Sequence, residues 1–131
     1  MVEGYADRFD SVDPARVLGA LSLMRTGSLL IRKLEAYFAS HDLSQLRFLI
    51  LILIDREPDR TTLAVSEIAG RLDVSRPVVT RTLQTLREAG LIAIAAGEDD
   101  ARSREVSLTR SGESKLAEVL PGYFSILHGA M

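Results

Sequence analysis

The chain has 131 residues, enough for one domain with a real hydrophobic core. It carries a net charge of −2 and no cysteine, which excludes disulfides, thiolate metal sites and thiol-based oxidant sensing. The two histidines, His41 and His128, lie far apart and have no ligand-like neighbours. Neither a metal nor a cofactor is therefore expected, and no nucleophile–base pair or phosphate loop marks an enzyme. A slightly acidic balance does not announce a nucleic-acid partner, but global charge is a poor guide when a binding surface is local.

Met1 to Asp13 is polar and acidic, unlike a secretory leader, so a cytoplasmic location is expected. Asp13-Pro14 is a helix start, a cap followed by proline at the first helical position. From there to about Ser40 the chain has no further proline, and Val17, Leu18, Leu21, Met24, Leu29, Leu30, Leu34, Tyr37 and Phe38 are apolar. So long a helix exceeds what one small core can use, and part of its apolar surface is expected to meet a partner. Gly27 weakens it locally and would admit another backbone at close range. The next element holds the strongest apolar run, Phe48 to Ile54. Alone it reads as a buried strand or as a helix buried all round; Ser44 as cap and Glu57-Pro58 as stop favour the helix. It is far shorter than the roughly 20 residues of a membrane helix, and no membrane partner is expected. Thr61 to Ala64 follows as a short strand.

Val65 to Ile92 carries the most information. Ser66 reads as an N-cap with Glu67 in the first turn, and Ile68, Ala69 and Leu72 fall at helical spacing. Asp73, Val74 and Ser75 interrupt the pattern. Ser75 caps a second helix of about residues 76–89, with Pro77 in its first turn and Gly90 as its stop. Two helices on so short a turn make a helix-turn-helix, whose second helix reads the major groove of DNA. With Val79, Leu83 and Leu86 turned inward, the 100° step places Pro77, Arg81 and Gln84 outward. Arg76 lies at the N-terminal end, and Val78 and Thr80 flank that face. Arginine can grip a guanine edge or a phosphate, glutamine can pair with adenine, and valine can touch a thymine methyl.

A hairpin is expected over about residues 91–108. Leu91, Ile92 and Ile94 lead in, Gly97 to Arg102 form a polar tip, and Val106 and Leu108 alternate on the return. Arg102 and Arg104 sit at or near that tip, where an arginine can enter the narrow minor groove. A last amphipathic helix runs from about Ser111 to Leu120 with Leu116, Val119 and Leu120 on its apolar side. Pro121-Gly122 is expected to bend or end it, before a final apolar patch of Tyr123, Phe124, Ile126 and Leu127.

These motifs together resemble the MarR family of bacterial transcription regulators. Asp100-Ala101-Arg102 followed by Leu108-Thr109 matches its wing signature, and Val65 to Ala69 with Val74-Ser75-Arg76 through Thr80-Arg81 is similar to its helix-turn-helix. Gly90-Leu91-Ile92 is similar to its entry into the wing, and Thr109 to Gly112 to the start of its next helix. The resemblance implies a mainly α (α+β) winged helix-turn-helix spanning 1–131 as a single domain. It implies dimerisation helices at 14–40 and 110–128 around a DNA-binding part at 44–108. It also implies a homodimer that represses or activates genes, often in response to small aromatic or phenolic ligands.

The DNA-contacting set is then Ser75, Arg76, Pro77, Val78, Thr80, Arg81, Gln84, Arg102 and Arg104. Tyr37, His41, Arg47 and Phe48 lie near the junction the family uses for ligands. The competing expectation is that Tyr37 and Phe48 are core and His41 a solvated loop residue. Three departures bear on function. The first wing strand, Ala93 to Ala96, has none of the family's usual cations; Glu98, Asp99 and Asp100 make the tip acidic; and the family usually continues beyond the position of Met131 into one more interface helix. These departures are what a winged-helix protein-interaction module that no longer binds DNA would have. The retained arginines are what a dimeric, probe-ready reader of a pseudo-palindromic operator would have.

Overall fold

The computed structural model describes residues 2–96 and 104–131. A short helix that the polar start of the sequence does not announce, α1 (Val2–Arg8), buries Val2 and sets Tyr5 against Phe9 with the Arg8 guanidinium over both rings. The long helix α2 (Pro14–Ser40) begins where proline allows. The Asp13 carboxylate accepts hydrogen bonds from the Ala15 and Arg16 amides at 3.0 and 3.4 Å. Its 27 residues make a rod about 40 Å long, yet only Leu34 and Phe38, near its end, are buried. The apolar run is a helix, α3 (Gln45–Asp55), capped by the Ser44 hydroxyl, which accepts from the Arg47 amide at 3.1 Å. Phe48, Ile50, Leu51 and Ile54 are buried on it, so the element lacks a polar face because it sits centrally.

Three short strands, β1 (Thr62–Ala64), β2 (Ile92–Ala96) and β3 (Arg104–Leu108), form an antiparallel sheet in the order β1-β3-β2. Leu63 pairs with Val106 and Ile94 with Val106, and the first two are fully buried against the helices. The strand expected at Thr61 to Ala64 is therefore present, and as β1 it pairs with β3 of the wing.

Between them lie α4 (Val65–Leu72) and α5 (Arg76–Glu88). Ser66 is not the cap of α4. The helix starts one turn position earlier, at Val65, because the strand ends at Ala64 and the Glu67 carboxylate reaches back to accept the Ala64 amide at 3.2 Å. Asp73, at φ 53°, ends α4 in the left-handed region, and Gly90, at φ 78°, does the same beyond α5. Ser75 holds the cap position of α5, but its side chain makes no capping bond. Val79, Leu83 and Leu86 are buried as the helical phase requires.

The last helix, α6 (Arg110–Gly129), starts at a knot. The Thr109 hydroxyl accepts from the Gly112 amide at 3.0 Å and donates to the Gly90 carbonyl at 2.6 Å. A Cβ at position 112 would run into the Leu91 carbonyl, which explains the glycine. α6 does not end at Pro121-Gly122, one of the two outcomes expected there; it continues through Pro121 to Gly129. Tertiary contacts override the local signal. Tyr123 packs its ring against Phe48 with centroids 4.7 Å apart, and the Tyr37 hydroxyl donates to the Val119 carbonyl at 2.7 Å over the space that Gly122 leaves open. The result is mainly helical with a small antiparallel sheet, a winged helix-turn-helix. No single helix among the described residues is long and apolar enough to cross a membrane.

Candidate nucleic-acid interface

The site is built on α5. Burial of Val79, Leu83 and Leu86 fixes the rotation of the helix, and Arg76, Pro77, Val78, Thr80, Arg81 and Gln84 are all exposed, with Ser75 at the head. Arg76, Pro77, Thr80, Arg81 and Gln84 line one open concavity along the outer face. Arg104, at the outer end of β3 opposite Ala96, lies on the wing side. It shares a cleft of about 370 Å³ with Arg76, Arg87, Thr80, Gln84 and the α4 start at Val65 and Ser66. The structure thus brings Arg104 to the recognition helix across that cleft. Arg102 and the acidic tip lie outside the described residues. Ala93, Ala95 and Ala96 are exposed on β2 and offer no cation.

Two groups of arginines in this half differ in their partners. Behind the helix-turn-helix, Arg60 grips Glu67 with two hydrogen bonds of 3.0 and 2.7 Å and lies 3.5 Å from Glu57. Arg71 bonds Glu57 at 2.8 Å and lies 3.6 Å from Glu67. The hydrogen bond from Arg71 holds the Glu57 carboxyl below its ordinary range, and the hydrogen bond from Arg60, helped by the Ala64 amide, does the same for Glu67. In front, Arg76, Arg81 and Arg104 have no ion pair among the described residues. A guanidinium costs little when solvated but has five donors to satisfy once a partner displaces water.

Gln84 is held as well as exposed. Arg87 donates to its carbonyl oxygen at 3.0 Å, and its amide nitrogen donates to Glu88 at 3.2 Å. Arg87 and Ser66 line the same cleft, and the sequence pattern did not single them out for it. Arg87 falls one step off the outward stripe, and only the wing's position shows that Ser66 faces the same cleft.

The family model described as MarR family matches residues 41–103, from the α2–α3 turn to the wing. The chain is 29% identical to the transcriptional repressor YetL of Bacillus subtilis over 127 residues, covering 97% of this chain and 75% of that one. Over these residues the chain is similar to the MarR family. Its fold is similar to that of the MarR family regulator AbsC from Streptomyces coelicolor, with a TM-score of 0.81, 18% identity, and coverage of 87% of this chain and 76% of that one. It is also similar to the regulator MOSR of M. tuberculosis, solved with DNA, with a TM-score of 0.68, 26% identity, and coverage of 82% and 76%. The family is one of transcription regulators rather than enzymes.

Among the described residues the four expected at a ligand junction line no main cavity in common. Phe48 is fully buried, stacked 4.5 Å from Phe38. Tyr37 and His41 meet edge to face at 4.8 Å beside Lys115 and Glu118. Lys115 donates to the His41 carbonyl at 3.3 Å, and His41 Nδ1 lies 3.8 Å from Glu118. Arg47 bonds the Ser44 hydroxyl and the Asp42 carbonyl and lines a notch on the α5 side.

Proposed function

We propose that this chain is a sequence-specific DNA-binding transcription regulator, working as a homodimer on a pseudo-palindromic operator and acting as a repressor released by a small aromatic or phenolic ligand. The observation that carries the reading is the trio Arg76, Arg81 and Arg104 around an exposed helix face, without an ion pair among the described residues, set against the paired Arg60 and Arg71 behind it. Arg81 and Gln84 read base edges, Val78 and Thr80 supply apolar and hydroxyl contacts, and Ser75, Arg76 and Pro77 meet the groove at the helix N-terminus. Arg104, with Arg102, serves the wing. MOSR, solved with DNA, supports the partner, and YetL, named a repressor, supports the sign of regulation.

The dimer reading rests on Val17, Leu18, Leu21, Leu23, Met24, Leu29 and Ile31 of α2 and Phe124 of α6, all large, apolar and exposed. A second copy covers them and sets two recognition helices about 34 Å apart, one helical turn of DNA. The ligand reading rests on Tyr37 and His41, whose ring edges meet at the α2–α6 junction; release requires that the ligand bind the two subunit arrangements with different affinity.

The exposed, uncharged strand Ala93 to Ala96 favours a second reading, a protein-interaction module without DNA binding. Selection of bound fragments from random duplex DNA separates the two. The expected result is a pseudo-palindrome with half-site centres about 10 base pairs apart, bound with affinity that falls steeply as salt rises. Failure to bind any duplex at low salt leaves the interaction module.

A further inference from the structure

A helix lying in the major groove has a sugar–phosphate strand on each side of it, the groove being about 12 Å wide. The wing-side flank of α5 has its cations in Arg76, Arg87 and Arg104. The opposite flank is a notch of about 290 Å³ lined by Ser44, Arg47, Val78, Arg81, Thr82 and Thr85. It brings together two arginines from different helices and no carboxylate. Arg81 has no ion pair among the described residues. Arg47 is held in place rather than neutralised, its Nε donating to the Ser44 hydroxyl at 3.2 Å and its Nη1 to the Asp42 carbonyl at 3.1 Å. Among the described residues Nη2 has no partner, and these bonds fix the guanidinium before any ligand arrives, which lowers the entropic cost of gripping one. Thr82 and Thr85 donate their hydroxyl protons back to the Val78 and Arg81 carbonyls at 2.8 and 3.3 Å, so the free donors at the notch are those of the arginines.

We infer that Arg47 is a DNA-backbone contact. Beside Arg81, which reaches on to the base edges, it meets one phosphodiester group on the strand opposite the wing, so that α5 is gripped from both sides. The inference rests on the DNA-binding reading and extends its footprint to the start of α3, a segment outside both the helix-turn-helix and the wing.

The test compares the wild-type chain with Arg47→Ala and Arg47→Lys on the selected operator and on an unrelated duplex, across a salt series. A lost phosphate contact lowers the salt slope by about 0.9. The wild-type to Arg47→Ala affinity ratio therefore grows about 3.5-fold when salt falls from roughly 200 to roughly 50 mM. The ratio is the same on both duplexes, because a phosphate carries no sequence information. Arg47→Lys restores most of the slope, which a purely structural role would not produce, and thermal unfolding of the free variants checks that the α3 start persists. An unchanged slope in Arg47→Ala, with the wild-type binding normally, overturns the inference and leaves the DNA reading intact. So does a loss confined to the operator. If the wild-type binds neither duplex at low salt, the underlying reading fails instead.

Discussion

The two ends of the molecule have opposite unmet needs. From α3 to the wing, the core is closed: Phe48, Ile50, Leu51, Leu63, Ile68, Val79 and Val106 are fully buried, and what the surface leaves unpartnered is charge. Along the first half of α2 there is no core beneath the helix at all, and what is left unpartnered is hydrocarbon, with Leu23 74% and Met24 67% exposed. A polar, polyanionic partner answers the first need and a second apolar surface the second. On the proposed function the chain separates recognition from assembly along its length, and damage to one half should leave the other intact.

The largest effect belongs to the apolar end. Leu21 and Met24 stand one turn apart on α2, and replacing both with glutamate puts uncompensated charge where a partner's surface is proposed to close. The expected cost to association is about 3–5 kcal/mol, a shift from dimer to monomer at micromolar concentration in sedimentation. Circular dichroism of the monomer should retain the helix-turn-helix signal, because these side chains contribute nothing to the buried core. A double variant that sediments like the wild-type dimer would move the interface elsewhere.

At the charged end the expected effect is smaller and selective. Arg81→Ala removes an exposed, unpaired guanidinium and should weaken specific binding by about 1–3 kcal/mol, with preference relaxed at one base pair and non-specific binding changed far less. The dimer should be unaffected. An equal loss on every sequence would make Arg81 a phosphate contact only, and no loss would remove it from the interface.

How much of this was legible in the sequence differs between the same two ends. In the DNA-facing half local chemistry and tertiary structure agree: Ser44, Gly90 and the stripe Val79, Leu83, Leu86 do what their positions announce. Periodicity alone therefore turned Arg81 and Gln84 outward. What it missed there depends on neighbours remote in sequence. Ser66 yields the cap of α4 to a glutamate reaching back from position 67, Arg87 joins the interface only because the wing leans beside it, and Arg47 meets Arg81 across two helices. In the helical half local signals mislead more. Pro121-Gly122 reads as a break, yet the helix continues, because Tyr37 donates to the Val119 carbonyl and Tyr123 joins the Phe38–Phe48 stack. Neither contact has a signature in the local pattern. The same stack makes Phe48 a core residue, which an aromatic in an apolar run leaves open.

The smallest effect concerns what keeps the charged end available. Its arginines divide into a bound set and a free set only because Glu57 and Glu67 absorb Arg60 and Arg71. Both carboxyls are held below the ordinary value of 4.5 by these partners, Glu57 chiefly through its hydrogen bond from Arg71 and Glu67 chiefly through its hydrogen bond from Arg60. A carboxyl whose pKa is lower in the folded than in the unfolded state binds fewer protons when folded. Its stabilisation is therefore fully present above about pH 4.5 and is lost as pH falls through the lowered folded value. The arginine side chains are more than two-fifths exposed, so water and salt screen the pairs and the contribution is modest. Urea midpoints should show it as a difference. Glu67→Gln should be less stable than wild type at pH 7, and the gap should narrow as pH drops below 4.5 and shrink in high salt. Since the network ties the α3–β1 loop to the start of α4, amide exchange should quicken there and not along α2. A gap that stays constant down to pH 3 would mean that Glu67 acts through its bond to the Ala64 amide and its packing, and that the division between bound and free arginines does not depend on its charge.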